Sequence, residues 1–332
     1  RGLGITGGER QVEDAEAVRI VLLGVFAQQL HAEADAQHRL FEIADQEVEL
    51  PFPQIAHGGA GFSHAGEYHF VRRAQLFRVI GHGCFHTQAL QRKEHGAVLK
   101  HPNTEWRLVV HEGGPNAANK PHTNHYGFRV SSSKEIPKAY EYLTEHKDQY
   151  KIKSVTKPHE AHFAYSVYFK EPGGNDLEIE YYNPAAVKQG RKIAAPHWTD
   201  PLPEEKFPGK GYVPQAMTHG TLNCDDKEVN DRFVKEVLGL EIIGGGRTST
   251  YISHPSTPWY IVVLPTTRRD YLTAANRFTL KLASAEEVAD AHKEFSTKGK
   301  AIGINELWDL EENGRTHFIF SDISKNWWEV TS

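Results

Sequence analysis

From about residue 98 onward, apolar residues change spacing repeatedly between the alternation of a strand and the three-to-four spacing of a helix. Phe128 to Val130, His219 to Leu222 and Thr279 to Leu282 read as strands, and each is followed by a helix signal. Ser131 to Ser133 precede a helix predicted over Lys134 to Glu145, in which Ile136, Tyr140 and Leu143 share a face. Asp225 or Asp226 opens a helix over Lys227 to Leu238 that stops at Gly239. Ser284 with Glu287 forms a capping box for a helix over Ala285 to Phe295. The unit predicted throughout is strand, helix, then strands.

Comparing the chain with itself shows that this unit recurs. HPNTEWRLVV (His101 to Val110) and HPSTPWYIVV (His254 to Val263) agree at six of ten positions across an offset of 153 residues. Within two residues of that offset, NHYGFRV (from Asn124) aligns with ANRFTLKL (from Ala275), and NDLEIE (from Asn175) with NWWEV (from Asn326). Two copies of one unit are therefore expected, each built from a pair of smaller modules. Pro184 to Gln215, with six prolines and no periodicity, reads as the linker between them.

The first copy lacks a beginning. Its opening strand and helix should fall near residue 66, where AGEYHFVRRAQLFRVIGHGC shows no such pattern. Composition breaks at the same place. Residues 1–97 hold a single lysine, tyrosine and serine, no asparagine or tryptophan, and eight of the twenty histidines. Glu13 to Asp35 could form a helix with Val18, Val21, Leu22 and Val25 on one face, and Ala74 to Ile80 a short strand or helix. The expected organisation is thus an atypical segment over 1–97, a first unit over 98–183 with its first module incomplete, the linker over 184–215, and a second unit over 216–332.

Composition narrows the partner. A net charge of -5 argues against nucleic acid or an anionic membrane surface and favours a small molecule. The longest apolar run, Ile20 to Phe26, is far shorter than the ~20 residues that span a bilayer. Two cysteines, Cys84 and Cys224, give no disulfide framework, and together with an N-terminus that lacks the regions of a signal peptide they point to the cytoplasm.

The candidate chemistry lies in His159 to Glu180 (HEAHFAYSVYFKEPGGNDLEIE) with His125 upstream. A strand, a Pro-Gly-Gly turn and a second strand would return Glu178 to the face that His125 occupies. HxxF at His125 to Phe128 and YxxEPxGxxxE at Tyr168 to Glu178 resemble the vicinal oxygen chelate superfamily of glyoxalases, bleomycin-resistance proteins and extradiol dioxygenases. His159, Tyr168, Glu171-Pro172, Gly174 and Glu178 are most similar to the type I extradiol ring-cleavage signature, with Lys157 a departure.

That resemblance covers about residues 98 to 331. It implies an α+β fold of repeated βαβββ modules in two half-open barrels, a divalent metal, and a homo-oligomer. It also implies ring cleavage of a catechol-like aromatic with O2, using Fe(II), with Mn(II), Zn(II) or Ni(II) as alternatives. An iron(II) site that binds catecholate and O2 together needs two imidazoles and one carboxylate on one face. His125 and Glu178 supply two of these; His159 or His162 would move a proton, and Tyr168 would donate a hydrogen bond.

By the family pattern the third ligand comes from the missing strand near residue 66, with His64 or His69 nearby. A different pairing, of the two middle modules, would instead bring His219 to His125 and Glu178. The second copy offers His219 and Glu329 as ligands, but Arg277 stands where the first has His125, and Ile319 and Ile323 replace the signature Tyr and Pro. Two other functions fit the same family: a glyoxalase-like lyase or isomerase on a redox-inert metal, and a binding protein for an aromatic or antibiotic ligand. Trp106, Tyr126, Phe163, Trp259 and Trp328 suit an aromatic ligand and are equally explained as core.

Overall fold

The computed structural model describes residues 88–93, 96–104, 106–111, 124–266 and 271–332. All lie in one compact unit, Ser63–Ser332. The helix expected over Glu13 to Asp35, the element over Ala74 to Ile80, His64, His69 and Cys84 lie outside the described residues.

The first described sheet joins β1 (Gln88–Lys93), β2 (Gly96–Lys100) and β3 (Arg107–His111) in that order. A nine-stranded sheet follows, built from β4 (His125–Arg129), β5 (Ser154–Val155), β6 (His159–Ala161), β7 (Ala164–Lys170), β8 (Asp176–Tyr182), β9 (Ala216–Cys224), β10 (Glu241–Gly246), β11 (Ser249–Ser253) and β12 (Tyr260–Pro265). Its order is β10-β11-β12-β9-β4-β8-β7-β5, with β6 also on β7. A third sheet, from β13 (Arg277–Lys281), β14 (Glu306–Leu307), β15 (Glu311–Glu312), β16 (Thr316–Ser321) and β17 (Trp327–Thr331), runs β13-β17-β16-β14, with β15 on β16. This repeats the course of β4-β8-β7-β5, as β1-β2-β3 repeats that of β10-β11-β12. The α+β modules of the sequence repeat are therefore present in the fold.

The two middle modules meet edge to edge. β4 pairs antiparallel with β9, setting Tyr126 against Gly220 and Gly127 against His219, while β4 and β9 run parallel to β8 and β12 respectively. An approximate twofold relation results, with His125 and His219 as counterparts: His125 stands opposite Asp176, and His219 opposite Tyr260.

Strand alternation divides each strand between two faces. On β8, Leu177 and Ile179 enter the apolar core with Val167, Phe169 and the buried Ile136, Ala139 and Leu143 of helix α1 (Glu135–Glu145). Each of these side chains larger than alanine contributes roughly 1.5–3 kcal/mol. Glu178 and Glu180 face the other way, and both are buried.

Two helix starts fall where the sequence put them. Asp226 Oδ1 accepts from Val229 N (3.0 Å) at the start of α3 (Lys227–Glu236), with α2 (Pro184–Lys188) lying before it. In α4 (Ala285–Ile302), Ser284 Oγ accepts from Glu287 N as in the expected capping box, while the return bond is displaced by one residue, Glu287 Oε2 accepting from Ala283 N. That helix runs past the expected Phe295 to Ile302, where Gly303 takes the left-handed conformation. At α1 the N-cap residue is Lys134, whose own side chain makes no cap bond; from the serine cluster Ser132 Oγ accepts from Lys134 N (3.2 Å), and Glu135 Oε1 accepts from Ser132 N (2.8 Å). The proline-rich stretch 184–215 is not a loose tether, because Ile193, Phe207 and Tyr212 within it are buried.

The Pro-Gly-Gly turn is held by a carboxylate. Glu171 Oε2 accepts from Gly173 N (2.6 Å), and its Oε1 accepts from Asn175 N (2.7 Å) and Asn175 Nδ2 (2.8 Å), while Gly174 has φ +95°. Asp322 repeats this in the last module, accepting from Ser324 N and Asn326 N, with Lys325 at φ +58° in the place of Gly174. The acidic residue of the signature thus shapes the turn that aims the next strand.

Candidate metal centre

Among the described residues, His125, Glu178 and His219 form the one cluster able to hold a metal ion. Their donor atoms mark a nearly equilateral triangle. His125 Nε2 lies 3.1 Å from His219 Nε2 and 3.1 Å from Glu178 Oε2, and His219 Nε2 lies 3.2 Å from Glu178 Oε2. Ligands held at about 2.1–2.2 Å and at right angles to one another would sit about 3.0–3.1 Å apart, so one face of an octahedral divalent cation fits. The two imidazoles stand at 90°.

Each donor is placed by backbone. His125 opens β4, and its N–H donates to Thr221 Oγ1 (2.7 Å) across the β4–β9 seam. Glu178 lies next to β4 in the ladder, opposite Gly127 on one side and Tyr168 on the other. His219 projects over Gly127, where a Cβ would fall 2.0 Å from its Cε1. Between His219 and Met217 the register shifts, leaving Thr218 as a bulge. In a regular strand Thr218 would face away from His219; the bulge sets its Oγ1 3.2 Å from His219 Nδ1.

The electrostatics favour a cation. Burial alone would raise the Glu178 carboxyl, but hydrogen bonds from His125 and His219 hold it well below the usual carboxylate range. Burial would lower His219, yet the charge of Glu180 and hydrogen bonds to Glu178 and Glu180 push it up to about 9. Burial and the neighbouring Glu178 charge raise the Tyr168 phenol far above its ordinary value, so it stays protonated and donates to Glu178.

Around the triangle, Tyr168 meets His125 edge-on (5.3 Å between ring centroids) and stacks against the exposed His159 (5.5 Å). Tyr260 stacks behind His219 at 5.2 Å, its ring plane 11° from that of the imidazole. His162 does not join the cluster. It sits exposed at the β6–β7 turn with φ +54°, its carbonyl held by Arg191. Glu329, expected as a ligand beside His219, does not join it either. Arg277 Nε donates to Glu329 Oε2 (2.6 Å), and Arg315 bonds its other oxygen. Two guanidiniums therefore occupy that carboxylate where a metal would need it. Of the aromatics, Trp259 and Trp328 are buried and Trp328 belongs to the core; Phe163 is exposed beneath the Arg191 guanidinium.

The twofold relation exposes one difference between the halves. Glu178 lies two residues beyond the partner of His125, and the position two beyond the partner of His219 on β12 is Val262. Tyr168 opposite Glu178 is matched by Tyr251 opposite Val262. One half supplies histidine and carboxylate, and the other supplies histidine and an apolar wall.

Several contributors were not singled out from sequence: Gly127, Arg129, Glu180, Thr218 and Tyr260. Alternation was the available signal for two of them, since Glu180 is two residues from Glu178 and Arg129 four from His125 on the same strand faces.

The family model described as "Glyoxalase/Bleomycin resistance protein/Dioxygenase superfamily" matches residues 15–179, a span that begins within the compositionally distinct segment. No curated protein sequence matches the chain. Among solved structures, a glutamate-to-glutamine point mutant of glyoxalase I from Zea mays is 12% identical, with 79% of this chain and 89% of that chain covered and a TM-score of 0.51. A valine-to-glutamate mutant of the same enzyme gives 13%, 79%, 88% and 0.51. Fosfomycin resistance protein FosX from Listeria monocytogenes is 15% identical, covering 35% of this chain and 91% of its own, with a TM-score of 0.29. At these identities the maize structures show a shared fold.

Proposed function

The chain belongs to the glyoxalase/bleomycin resistance protein/dioxygenase superfamily, and from that premise we propose that it is an iron(II)-dependent extradiol dioxygenase that cleaves a catechol-like ring with O2. The observation that carries this reading is the donor set: two imidazoles and a single carboxylate on one face, with Val262 where a second carboxylate would stand. Such a triad is the ligand pattern of non-haem iron(II) oxygenases because it leaves three positions for substrate and O2.

His125, His219 and Glu178 would hold the ion. When bound, iron(II) supplies a Lewis-acid anchor for the two vicinal oxygens and the redox capacity to engage O2. The chain's own groups do the rest. Tyr168 keeps its proton and presents a donor beside the donor triangle. His159, stacked on Tyr168 and open to solvent, would take a proton from a substrate hydroxyl and release it to water. Val262 and Tyr251 offer an apolar wall for an aromatic ring on the side without a second carboxylate.

Anaerobic loading with Fe(II), followed by addition of catechols under 18O2, tests the reading. Consumption of O2 equimolar with catechol loss, and both labelled atoms in a ring-opened product, is the expected result. Turnover of an enediolate-forming substrate on Zn(II), Ni(II) or Mn(II), without O2 uptake, would place the chain with the lyases and isomerases. Tight binding of an aromatic ligand without metal would make it a binding protein.

A further inference from the structure

We infer that Glu180 is a positioning residue for His219, fixing which ring nitrogen carries the proton and turning Nε2 toward the donor triangle; the inference rests on the metal-centre reading above.

Glu180 Oε1 gathers three donors: Arg129 Nε (3.0 Å), Arg129 Nη2 (2.7 Å) and Thr218 Oγ1 (2.8 Å). The same oxygen faces His219 Nδ1 at 3.5 Å. Arg129 is itself fixed, donating through Nη1 to the carbonyls of Ile193 (2.8 Å) and Ala195 (3.1 Å) and through Nη2 to the Tyr260 hydroxyl (2.9 Å). Tyr260 in turn stacks flat on His219. The imidazole is therefore held by a ring on its face and a carboxylate at its Nδ1 edge.

Stability alone does not explain this arrangement. Arg129 and Glu180 are 2% and 1% exposed, and the desolvation cost of so deeply buried an ion pair offsets most or all of its attraction, so apolar side chains of similar volume would serve packing as well. A ligating histidine, however, needs its second nitrogen hydrogen-bonded to fix ring orientation and strengthen the donor, and a carboxylate there does both. The Thr218 bulge belongs to the same device, because it brings a hydroxyl between the carboxylate and the ring. The relation between the halves makes the device one-sided: the β12 position matching Glu180 is Leu264, two beyond Val262, so no carboxylate from β12 backs His125.

Zn(II) serves as a diamagnetic probe of the full chain. Calorimetric titration of Zn(II) into wild type and Glu180→Gln, with circular dichroism to verify folding, should show a roughly 10–100-fold loss of affinity in the variant. In Zn(II)-loaded wild type, 15N-resolved NMR should show His219 protonated at Nδ1, with a low-field, exchange-protected proton that moves upfield in Glu180→Gln. A folded variant with unchanged Zn(II) affinity overturns the inference. So does a wild-type His219 protonated at Nε2, which can be read even if the variant fails to fold. A wild type that binds Zn(II) elsewhere, or not at all, overturns the metal-centre reading and the inference with it.

Discussion

Gly127 and His219 face each other across the seam between β4 and β9, so close that a methyl group on Gly127 would lie 2.0, 2.4 and 2.7 Å from three atoms of the imidazole. These distances are far below van der Waals contact, and the glycine is what lets the ring approach the strand so closely. Gly127→Ala should therefore move His219 out of the triangle. Zn(II) affinity is expected to fall about 100-fold or more, with a stability loss of about 1–3 kcal/mol from overpacking. Gly246→Ala, where nothing lies within 4 Å of the added carbon, should change neither quantity. Calorimetric titration and thermal melts of the two variants check this.

Glu178 is the carboxylate that both imidazoles share, at 3.1 and 3.2 Å. Glu178→Ala removes the anionic donor and leaves the two imidazoles facing each other without it. Elemental analysis should find no bound metal, while the circular dichroism spectrum stays that of wild type, because the core of Leu177, Ile179 and Val167 on the opposite strand face is untouched. A variant that retains full metal stoichiometry would sink the site.

The last module predicts the opposite outcome. Glu329 is 3% exposed and is bonded by Arg277 and Arg315, so Glu329→Ala leaves two guanidiniums side by side without their carboxylate. Both arginines reach solvent in part, which holds the expected cost to about 1–3 kcal/mol. The melting temperature should drop by several degrees with metal content unchanged. Loss of metal instead would restore Glu329 as a ligand.

How much of this was legible in the sequence follows from which interactions are local. The spacing from Tyr168 through Glu171 to Glu178 encodes a strand, a carboxylate-held turn and a returning strand, all within one stretch, and the fold reproduces it. The Asp226 cap, the Ser284 and Glu287 pair and Gly239 are local for the same reason. The third member of the cluster was open, because the choice between a strand near residue 66 and the strand carrying His219 depends on which sheet edges meet, and edge pairing is decided by tertiary packing. Gly220 carries a trace of that choice: a Cβ there would meet Phe278 at 2.6 Å and Tyr126 at 3.3 Å, so the seam needs a bare backbone. Glu329 misled because a carboxylate at a matching strand position says nothing about what neutralises it. Arg277 was visible as a non-ligand, but Arg315 reaches Glu329 from between β15 and β16, outside any recognisable spacing. Arg129 and Glu180 share strand faces with the ligands, yet alternation does not reveal that both are desolvated.

His197 provides a pH test away from the donor triangle. It packs edge-on against Trp259 and tilted against Tyr260, and its Nε2 has no hydrogen-bond partner among the described residues. Burial, then the nearby Arg129 charge, lowers its pKa to about 3, with Glu180 opposing and His219 adding to the depression. The unfolded chain takes up this proton near pH 6.5, and the folded chain resists it until about pH 3. Between those values the unfolded state binds more protons, so stability rises with pH, and the contribution present above pH 6.5 is lost as pH falls toward 3. His197→Phe keeps an aromatic ring against Trp259 and removes the titration. Its melting temperature should therefore decline less than that of wild type between about pH 7 and pH 4, and NMR of the wild type should show a neutral His197 ring throughout that range. Equal slopes for the two proteins would show that His197 is already solvated, and that another group sets the acid limb.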